Sequence, residues 1–454
     1  MRFFASHGRI LLGIALFFMA LPLSAQHNNR ASRDLQFRFG NPGARSLALG
    51  GAFIALADDA TAPVANPAGM TRTNRRSASF ELNFERQDND IPFQGGSILQ
   101  TNLFEFDFNL TSSQAEETLF QVPYLALVYP KGKLRYGFFL HQQANVRREY
   151  TTEDILLCPF ADGFHPNCEN NPRPSFFPAS TDILDMEILN AGGSLAYQFG
   201  QQLSLGVSLF WSDLDYRADS LIDLPQIADV VDIDRFARGQ DQDWGAIVGL
   251  LWQVSDVLSF GATYKRQPEF TYTATLTKSR DLPLYPDDFS TTGNFKIPDA
   301  LGFGISVMPT DTLVVNIDAN RVFYSQITDD LIDFTLAGNN PDVTVTQESA
   351  DITEIHVGVE WIFIRTANPF SLRFGYWLEP YHAAVNTVED NQILEGPLDG
   401  PYFRDIFFLR QFEEDTHHYS LGIGWTFNQR FQFDLAYAFA DTGDMATASG
   451  IYRF

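Results

Sequence analysis

The side chains that could carry out chemistry are few and scattered along this chain of 454 residues. Asp58 and Asp59 are adjacent carboxylates that could bind a cation or pair with an arginine, although a turn or helix-end role is favoured. His417 and His418 follow an acidic stretch at the start of a strand, where a solvated loop edge is the favoured interpretation. No G-x-S-x-G, H-E-x-x-H, C-x-x-C or phosphate-binding glycine loop is present. The sequence therefore predicts no enzyme, no metal site and no cofactor.

The first 25 residues have the pattern of an export signal. Arg2 and Arg9 come before an apolar run, and Ser24 and Ala25 supply the small residues of a cleavage site. The apolar run, residues 10–23, is short for a bilayer-spanning helix, so a membrane anchor is the weaker alternative. We predict that residues 1–25 are a signal peptide and that the mature chain is exported.

Cys158 and Cys168, the two cysteines of the chain, lie close together in one long polar stretch. Exported proteins form disulfides because their compartment is oxidising. Two thiols are too few for a structural zinc site, which needs four ligands. We predict an intramolecular disulfide between them.

The formal net charge of the chain is −25 at pH 7. Such a charge argues against binding of nucleic acid, because the phosphates would be repelled. It is also compatible with a simple solvated outer surface.

From residue 77 onward, segments of about ten residues alternate between apolar and polar side chains. Near the carboxyl terminus, for example, Phe431, Phe433 and Leu435 alternate with Gln432 and Asp434. A period of two places the two sets on opposite faces of a sheet. Short turns also alternate with long polar loops, which is the asymmetry of bacterial outer-membrane barrels. The sequence thus predicts an apolar face toward lipid and a polar face toward the lumen.

Fourteen strands are predicted, and an even number leaves both chain ends on the periplasmic side. Closure is required because an open edge in lipid would leave backbone groups unpaired. Residues 103–110 also alternate, but a further strand would break the parity, so we assign them to the first long loop. The predicted strands are residues 76–86, 119–130, 134–150, 186–199, 203–218, 242–254, 257–272, 295–308, 312–326, 351–363, 370–379, 417–427, 430–441 and 445–454.

Residues 39–70 are rich in glycine and alanine and match neither the strands nor a lipid-spanning helix. Small residues at this density allow a backbone to pack closely against its surroundings. We predict a signal peptide (1–25), a plug inside the lumen (26–75) and a transmembrane β-barrel (76–454). Room for the plug would come from the lumen-facing glycines Gly192, Gly206, Gly245, Gly302, Gly304, Gly358 and Gly375.

The step Asn66-Pro67 would hold the plug where it leaves the lumen. Proline fixes its own φ and makes the preceding residue extended, and an asparagine amide can bond nearby backbone. An ordinary turn is the alternative.

The last strand presents Gly450, Tyr452 and Phe454 on one face. A terminal aromatic residue on an amphipathic strand resembles the signal that the barrel assembly machinery reads, so we predict this role for the three residues.

Residues 43–70, with Asn66, Pro67, Ala68 and Gly69 near their end, resemble the amino-terminal signature of FadL-type outer-membrane transporters of long-chain fatty acids or aromatic hydrocarbons. Residues 260–264, 297–304 and 372–376 resemble strand patterns of the same family. The resemblance implies an all-β fold, a 14-stranded antiparallel transmembrane β-barrel with its amino-terminal segment in the lumen. It places Asn66–Gly69 at the gate where plug and barrel meet. It also implies entry through the long loops, diffusion without an energy-coupling protein, and a lateral hole at a kink in the third strand.

In this chain the third strand is residues 134–150. Gly137 is the predicted pivot of an inward kink, because glycine tolerates bulge geometry. The apolar alternation fails beyond Leu140, where Gln142, Gln143 and Asn145 follow. The alternative is that the strand has simply risen above the membrane.

We therefore predict an outer-membrane protein that passes hydrophobic small molecules by diffusion, with lateral exit. The expected partners are the hydrophobic ligand, outer-membrane lipids and lipopolysaccharide, and the barrel assembly machinery, but no nucleic acid. The alternative is a barrel similar to the PorV-like proteins, which share a plug motif of this kind and dock secreted or surface proteins.

Overall fold

The computed structural model describes residues 39–102, 105–158, 175–177, 179–224, 231–278, 288–328, 345–364, 366, 368–382, 385–388, 415–440 and 443–454. The predicted signal peptide lies outside the described residues, as do Cys168 and the side chain of Cys158. The disulfide therefore stays a prediction. No helix within the described ranges is both long and apolar enough to cross a membrane.

The strands form one closed antiparallel barrel with fourteen positions. The first strand pairs with the second on one side and with the last on the other, which closes the sheet. The strands are β1 Ser77–Asn102, β2 Glu105–Lys131, β3 Leu134–Thr151, β4 Ile155–Cys158, β5 Ser175–Phe177, β6 Ser180–Phe199, β7 Leu203–Leu224, β8 Val231–Gln253, β9 Leu258–Arg266, β10 Glu269–Lys278, β11 Phe289–Lys296, β12 Ala300–Thr310, β13 Leu313–Val322, β14 Val345–Glu348, β15 Ile352–Phe363, β16 Phe370–Glu379, β17 Val385–Val388, β18 Thr416–Phe427, β19 Phe431–Ala440 and β20 Gly443–Arg453.

Two barrel positions are each shared by two consecutive strands. β9 and β10 both pair with β8, and their other partners, β12 and β11, also share one position. Pro268 lies in the first break and Pro298 in the second, and proline cannot donate to a ladder. β4 and β5 extend the sheet beyond the barrel, and β14 pairs only with β17. The fourteen strands predicted from the sequence are thus confirmed, with two of them interrupted.

The outward face of the barrel is apolar. On β7, for example, Leu205, Val207 and Leu209 are exposed. Trp211 and Trp244 are register partners at the outer end of this belt, and Trp252 is exposed near its other end. An apolar band between aromatic girdles is the outer surface of a barrel in lipid. The chain is therefore a multi-pass outer-membrane β-barrel.

The assignment of residues 103–110 to a loop is wrong for the described part of that range. Residues 105–110 begin β2 and continue its ladder with β1, in which Gly96 is paired with Leu110. They lengthen the first hairpin instead of adding a strand, so the even number is kept. The sequence assigns these residues to a loop because an additional strand would make the number of strands odd.

The inner segment, residues 39–75, lies inside the barrel. Most of its residues are buried, and its contacts are to inward-facing side chains of the wall. It contains α1 Ala44–Ala48, α2 Ala62–Ala65 and a 3-10 helix, Pro67–Arg72; α3, Ser325–Thr328, follows β13. Helices this short are not stable alone, so the surrounding wall must hold them.

Candidate functional site

Glycines of the wall make room for the inner segment. A side chain at Gly375 would overlap the backbone of Leu49 and Gly50, and one at Gly206 would overlap Pro67 and Ala68. Gly302, Gly304 and Gly358 have similar contacts with the inner segment. Two of the glycines predicted for this role have another one, because Gly192 and Gly245 face the rings of Phe139 and Phe210.

Polar side chains of the wall bond the backbone of the inner segment. Asp318 on β13 accepts hydrogen bonds from the amides of Phe53 (2.6 Å) and Ile54 (2.8 Å). Glu81 on β1 accepts from the amide of Gly43 at 2.7 Å. These bonds satisfy buried backbone amides of the inner segment. The inner segment is therefore attached to opposite sides of the barrel.

The Asn66–Gly69 motif lies at the junction of the inner segment with β8. The Asn66 side chain accepts from the amide of Ala68 (3.1 Å) and donates to the carbonyls of Ile54 (2.9 Å) and Leu250 (3.1 Å). Pro67 begins the 3-10 helix, where a missing amide hydrogen costs nothing. Gly69 lies directly against the backbone of Ala57, where no side chain would fit. Each residue type in the motif thus has a local physical reason.

A buried ionic cluster joins the inner segment to the wall. Arg45 on α1 pairs with Asp58 at 2.5 Å and with Glu360 of β15 at 2.7 Å. Glu360 also pairs with Arg373 of β16, which in turn pairs with Asp434 of β19 at 2.7 Å. Burial alone would lower the pKa of Arg45, but the neighbouring carboxylates hold that pKa well above its usual value. The arginine is therefore charged at every working pH.

Asp58 and Asp59 have different surroundings. Asp59 accepts from the amide (2.9 Å) and the hydroxyl (2.6 Å) of Thr61, which is the turn role favoured from the sequence. Burial raises the pKa of Asp59, and Arg45, 3.8 Å away, opposes that rise. The arginine of the pair lies in the inner segment and not on the wall. Among the described residues, no cluster of histidine, cysteine and carboxylate side chains could hold a metal ion.

The closing seam of the barrel contains the predicted assembly residues. Phe454 and Tyr452 are exposed, with ring centroids 5.8 Å apart. Gly450 is the register partner of Phe80 on β1, whose ring covers the space that a side chain at this position would need. These contacts place all three residues at the β1–β20 seam.

β2 and β3 separate partway along their length. Their ladder runs from Lys131–Leu134 to Tyr124–His141 and ends there. Beyond that point β2 pairs with β1, and β3 pairs with β6 through a register irregularity between Gln142 and Ala144. On β2 the separation lies at the level of Val122, which is exposed on the outer face. The wall is therefore unpaired between these strands beside the apolar belt.

Gly137, the predicted pivot, lies below this separation. It is paired with Val128 of β2 and with Ser194 of β6. A side chain there would meet Met70 and Pro63 of the inner segment. The irregularity instead follows Leu140, where the apolar alternation of the sequence fails.

A lumen cavity of about 170 Å³ adjoins the separation. Gln121 and Pro123 line it from β2, and residues 141–146 line it from β3. Asn41 and Leu47 of the inner segment form the opposite wall. The cavity therefore lies between Asn41 and Leu47 of the inner segment and the place where the wall is unpaired.

The lumen also contains an apolar cluster, although lumen faces of barrels are ordinarily polar. Phe270, Tyr272 and Phe295 pack together with ring centroids 5.8–6.1 Å apart. Phe39, the first described residue of the inner segment, packs against this cluster through Tyr324. This cluster was not predicted from the sequence, although the alternation of Phe270 and Tyr272 with Thr271 and Thr273 indicates it.

Comparisons with known proteins show the fold. No protein-family model matches the sequence, and no curated protein matches it either. Three solved structures match along most of both chains: the CymD monoaromatic hydrocarbon channel (16% identity, 92% of this chain, 99% of that chain, TM-score 0.54), the Ralstonia pickettii toluene transporter TbuX (15%, 92%, 99%, 0.52) and the P. putida toluene transporter TodX (14%, 92%, 99%, 0.50). The resemblance to FadL-type proteins noted from the sequence is thus confirmed at the level of the fold, which this chain shares with the three solved structures.

Proposed function

We propose that this protein passes hydrophobic small molecules across the outer membrane by diffusion. The observation that carries the proposal is the lumen cavity that reaches the unpaired edge between β2 and β3. The similar structures are named as channels or transporters of monoaromatic hydrocarbons or toluene, which favours small aromatic ligands. Long-chain fatty acids are the alternative ligand class.

The proposed route begins in the apolar lumen cluster around Phe270, Tyr272 and Phe295. It continues past Phe39 into the cavity beside Ala144. The ligand then leaves through the separation between β2 and β3 into the bilayer. Transfer of apolar surface from water is favourable by about 25 cal/mol per Å², so diffusion toward the membrane needs no energy-coupling partner.

Lateral exit keeps the ligand out of the aqueous periplasm. The separation would otherwise be costly, because unpaired backbone groups in hydrocarbon cost several kcal/mol each. Polar side chains of the cavity, among them Gln121 and Gln143, lie where they can form hydrogen bonds with those backbone groups. In this proposal the inner segment is a plug that blocks ions and directs the ligand sideways.

The proposed surroundings of the barrel are outer-membrane lipids and lipopolysaccharide. Gly450, Tyr452 and Phe454 would be read by the barrel assembly machinery during insertion. The exposure of Tyr452 and Phe454 at the β1–β20 seam supports this role, because a recognition signal must be accessible.

Uptake of a labelled aromatic hydrocarbon tests the proposal. Cells that contain the protein should take up the hydrocarbon faster than cells without it. Ala144→Trp should abolish the difference, because Ala144 is buried beside the separation and a tryptophan would fill the cavity.

The matched control is Ala446→Trp, on the lipid-facing surface of β20. It adds the same side chain to the same barrel but leaves the lumen open, so uptake should stay at the wild-type rate. Equal uptake with and without the protein, or normal uptake by Ala144→Trp, would contradict the proposal.

A further inference from the structure

A second lumen cavity lies on the other side of the inner segment. Its volume is about 140 Å³, and its walls come from β15, β16, β18 and β19 together with the turn Gly50–Gly51. Phe39, Gly40 and Asn41 line this cavity and also line the cavities toward β3. The second cavity is therefore a branch of the lumen that a ligand reaches past residues 39–41 of the inner segment.

Aromatic rings form one wall of this branch. His356, Trp377 and His418 are register partners on three adjacent strands. The Trp377 and His418 rings are stacked with centroids 4.2 Å apart, and His356 is nearly parallel to Trp377 at 6.4 Å. Phe439 lines the same cavity. A flat aromatic guest matches such walls because aromatic rings pack favourably in offset or edge contacts.

Three carboxylates line the same branch: Glu354, Glu379 and Asp444. Glu354 is 8% exposed and lies 3.3 Å from Nε2 of His356, and Glu379 lies 3.0 Å from Nε2 of His418. Apolar guests do not need carboxylates, and buried carboxylates are costly unless they accept hydrogen bonds. A carboxylate has about four acceptor positions, so it can accept from a guest as well as from a histidine.

Glu354 and His356 form one hydrogen-bonded pair. Nδ1 of His356 is 2.7 Å from the carbonyl oxygen of Gly50, so this nitrogen carries a hydrogen and donates it. A neutral donor is a better match for this branch than a cation, because the proposed route ends in the bilayer, where a charged group is costly.

We propose that this branch is a subsite for neutral aromatic ligands that carry a hydroxyl or amino donor, such as phenols. The ring would pack against Trp377 and Phe439, and its donor would bond Glu354 or Glu379. The inference rests on the proposed function, because it extends the ligands from plain hydrocarbons to donor-bearing aromatics. It also gives the carboxylates a role that hydrocarbon passage leaves unexplained.

Calorimetric titration of the purified full-length protein tests the subsite, with p-cresol and p-xylene as matched probes. The two molecules have nearly the same shape, but p-cresol has a hydroxyl where p-xylene has a methyl group. A hydrogen bond to a charged group contributes about 1.5 kcal/mol or more, so p-cresol should bind at least about tenfold tighter. An entirely apolar lumen would prefer p-xylene, and that result would overturn the inference.

Substitutions in the cavity wall identify the side chains that cause the preference for p-cresol over p-xylene. Glu354→Gln and Glu379→Gln should each reduce the affinity for p-cresol and leave the affinity for p-xylene unchanged. Trp377→Leu should weaken both probes. The control, Glu269→Gln, changes an exposed glutamate at the start of β10, and it should change neither affinity. An unchanged preference in both glutamate variants would place the donor site elsewhere and overturn the inference.

The two proposals fail in different ways. If p-xylene binds and hydrocarbon uptake is blocked by Ala144→Trp, but p-cresol has no advantage, only the subsite is wrong. If neither probe binds, both proposals are contradicted.

Discussion

At the scale of single residues, Asn66 connects three pieces of backbone. Its side chain bonds Ile54 within the inner segment, Leu250 on the wall and Ala68 in the following turn. Aspartate could accept from Ala68 but could not donate to the two carbonyls. The asparagine is therefore required for attachment as well as for the turn.

Asn66→Ala should destabilise the attachment of the inner segment by about 2 kcal/mol, because the buried carbonyl of Ile54 and the partly buried carbonyl of Leu250 lose a donor. The expected result is a higher ion leak through the barrel in planar bilayers. Asn316→Ala is the matched control: Asn316 is also buried and faces the lumen, but its side chain has no hydrogen bond within the described structure. Equal conductance of the two variants would contradict this role for Asn66.

Arg45 pairs with Asp58 of the inner segment and with Glu360 of the wall. Arg45→Gln should destabilise the protein by about 3–5 kcal/mol, because Asp58 and Glu360 would be left without their common partner. Chemical denaturation of the barrel in lipid vesicles measures this loss. Arg76→Gln, an exposed arginine against Tyr129, should change stability little.

At the scale of residues, the sequence predicts best where the conformation of a motif depends on its own residues. The position of Asn66–Gly69 could be predicted because each residue type suits the backbone conformation or the close packing at its position. Gly137 could not, because a glycine that permits a bulge and a glycine that receives a neighbour have the same sequence signal. Its space is used by Met70 and Pro63. His418 was taken for a loop edge, but its ring stacks on Trp377, a contact between strands that the sequence does not reveal.

At the scale of elements, the period of two explains why the strands could be counted. The lipid requires an apolar outer face and the lumen tolerates small or polar side chains, so each membrane strand alternates. The extension of the β1–β2 hairpin was not predicted, because alternation does not show whether a segment adds a strand or lengthens one. The separation between β2 and β3 was indicated only as a loss of alternation, because the sequence does not record which neighbour a strand leaves.

The contact between wall glycines and the inner segment can be tested with one methyl group. Gly375→Ala should displace the inner segment and raise ion conductance while the barrel still inserts, because the added carbon would overlap Leu49 and Gly50. In Gly193→Ala the added carbon meets only a carbonyl oxygen at 3.9 Å, so conductance should stay at the wild-type value. Unchanged ion conductance in Gly375→Ala would mean that the position of the inner segment does not depend on this close packing.

At the scale of the whole molecule, the proposed function gives the inner segment and the wall different tasks. The closed wall spans the lipid, and the inner segment would fill the lumen that a barrel of this size otherwise leaves open. Deletion of residues 39–70 should leave a barrel that inserts and conducts small ions. An unchanged conductance would show that the segment is not a plug.

The most direct test of the account is a reversible block at the separation between β2 and β3. Ala144→Cys can be modified with a bulky thiosulfonate reagent, and the modification can be removed with a reductant. The account predicts that hydrocarbon uptake falls to the background rate after modification and recovers after reduction. Thr426→Cys, in the cavity beside Arg45 and Arg373 of the ionic cluster, should keep normal uptake when modified. If modified Thr426→Cys stops uptake and modified Ala144→Cys does not, the ligand leaves past the ionic cluster, and the lateral route is contradicted.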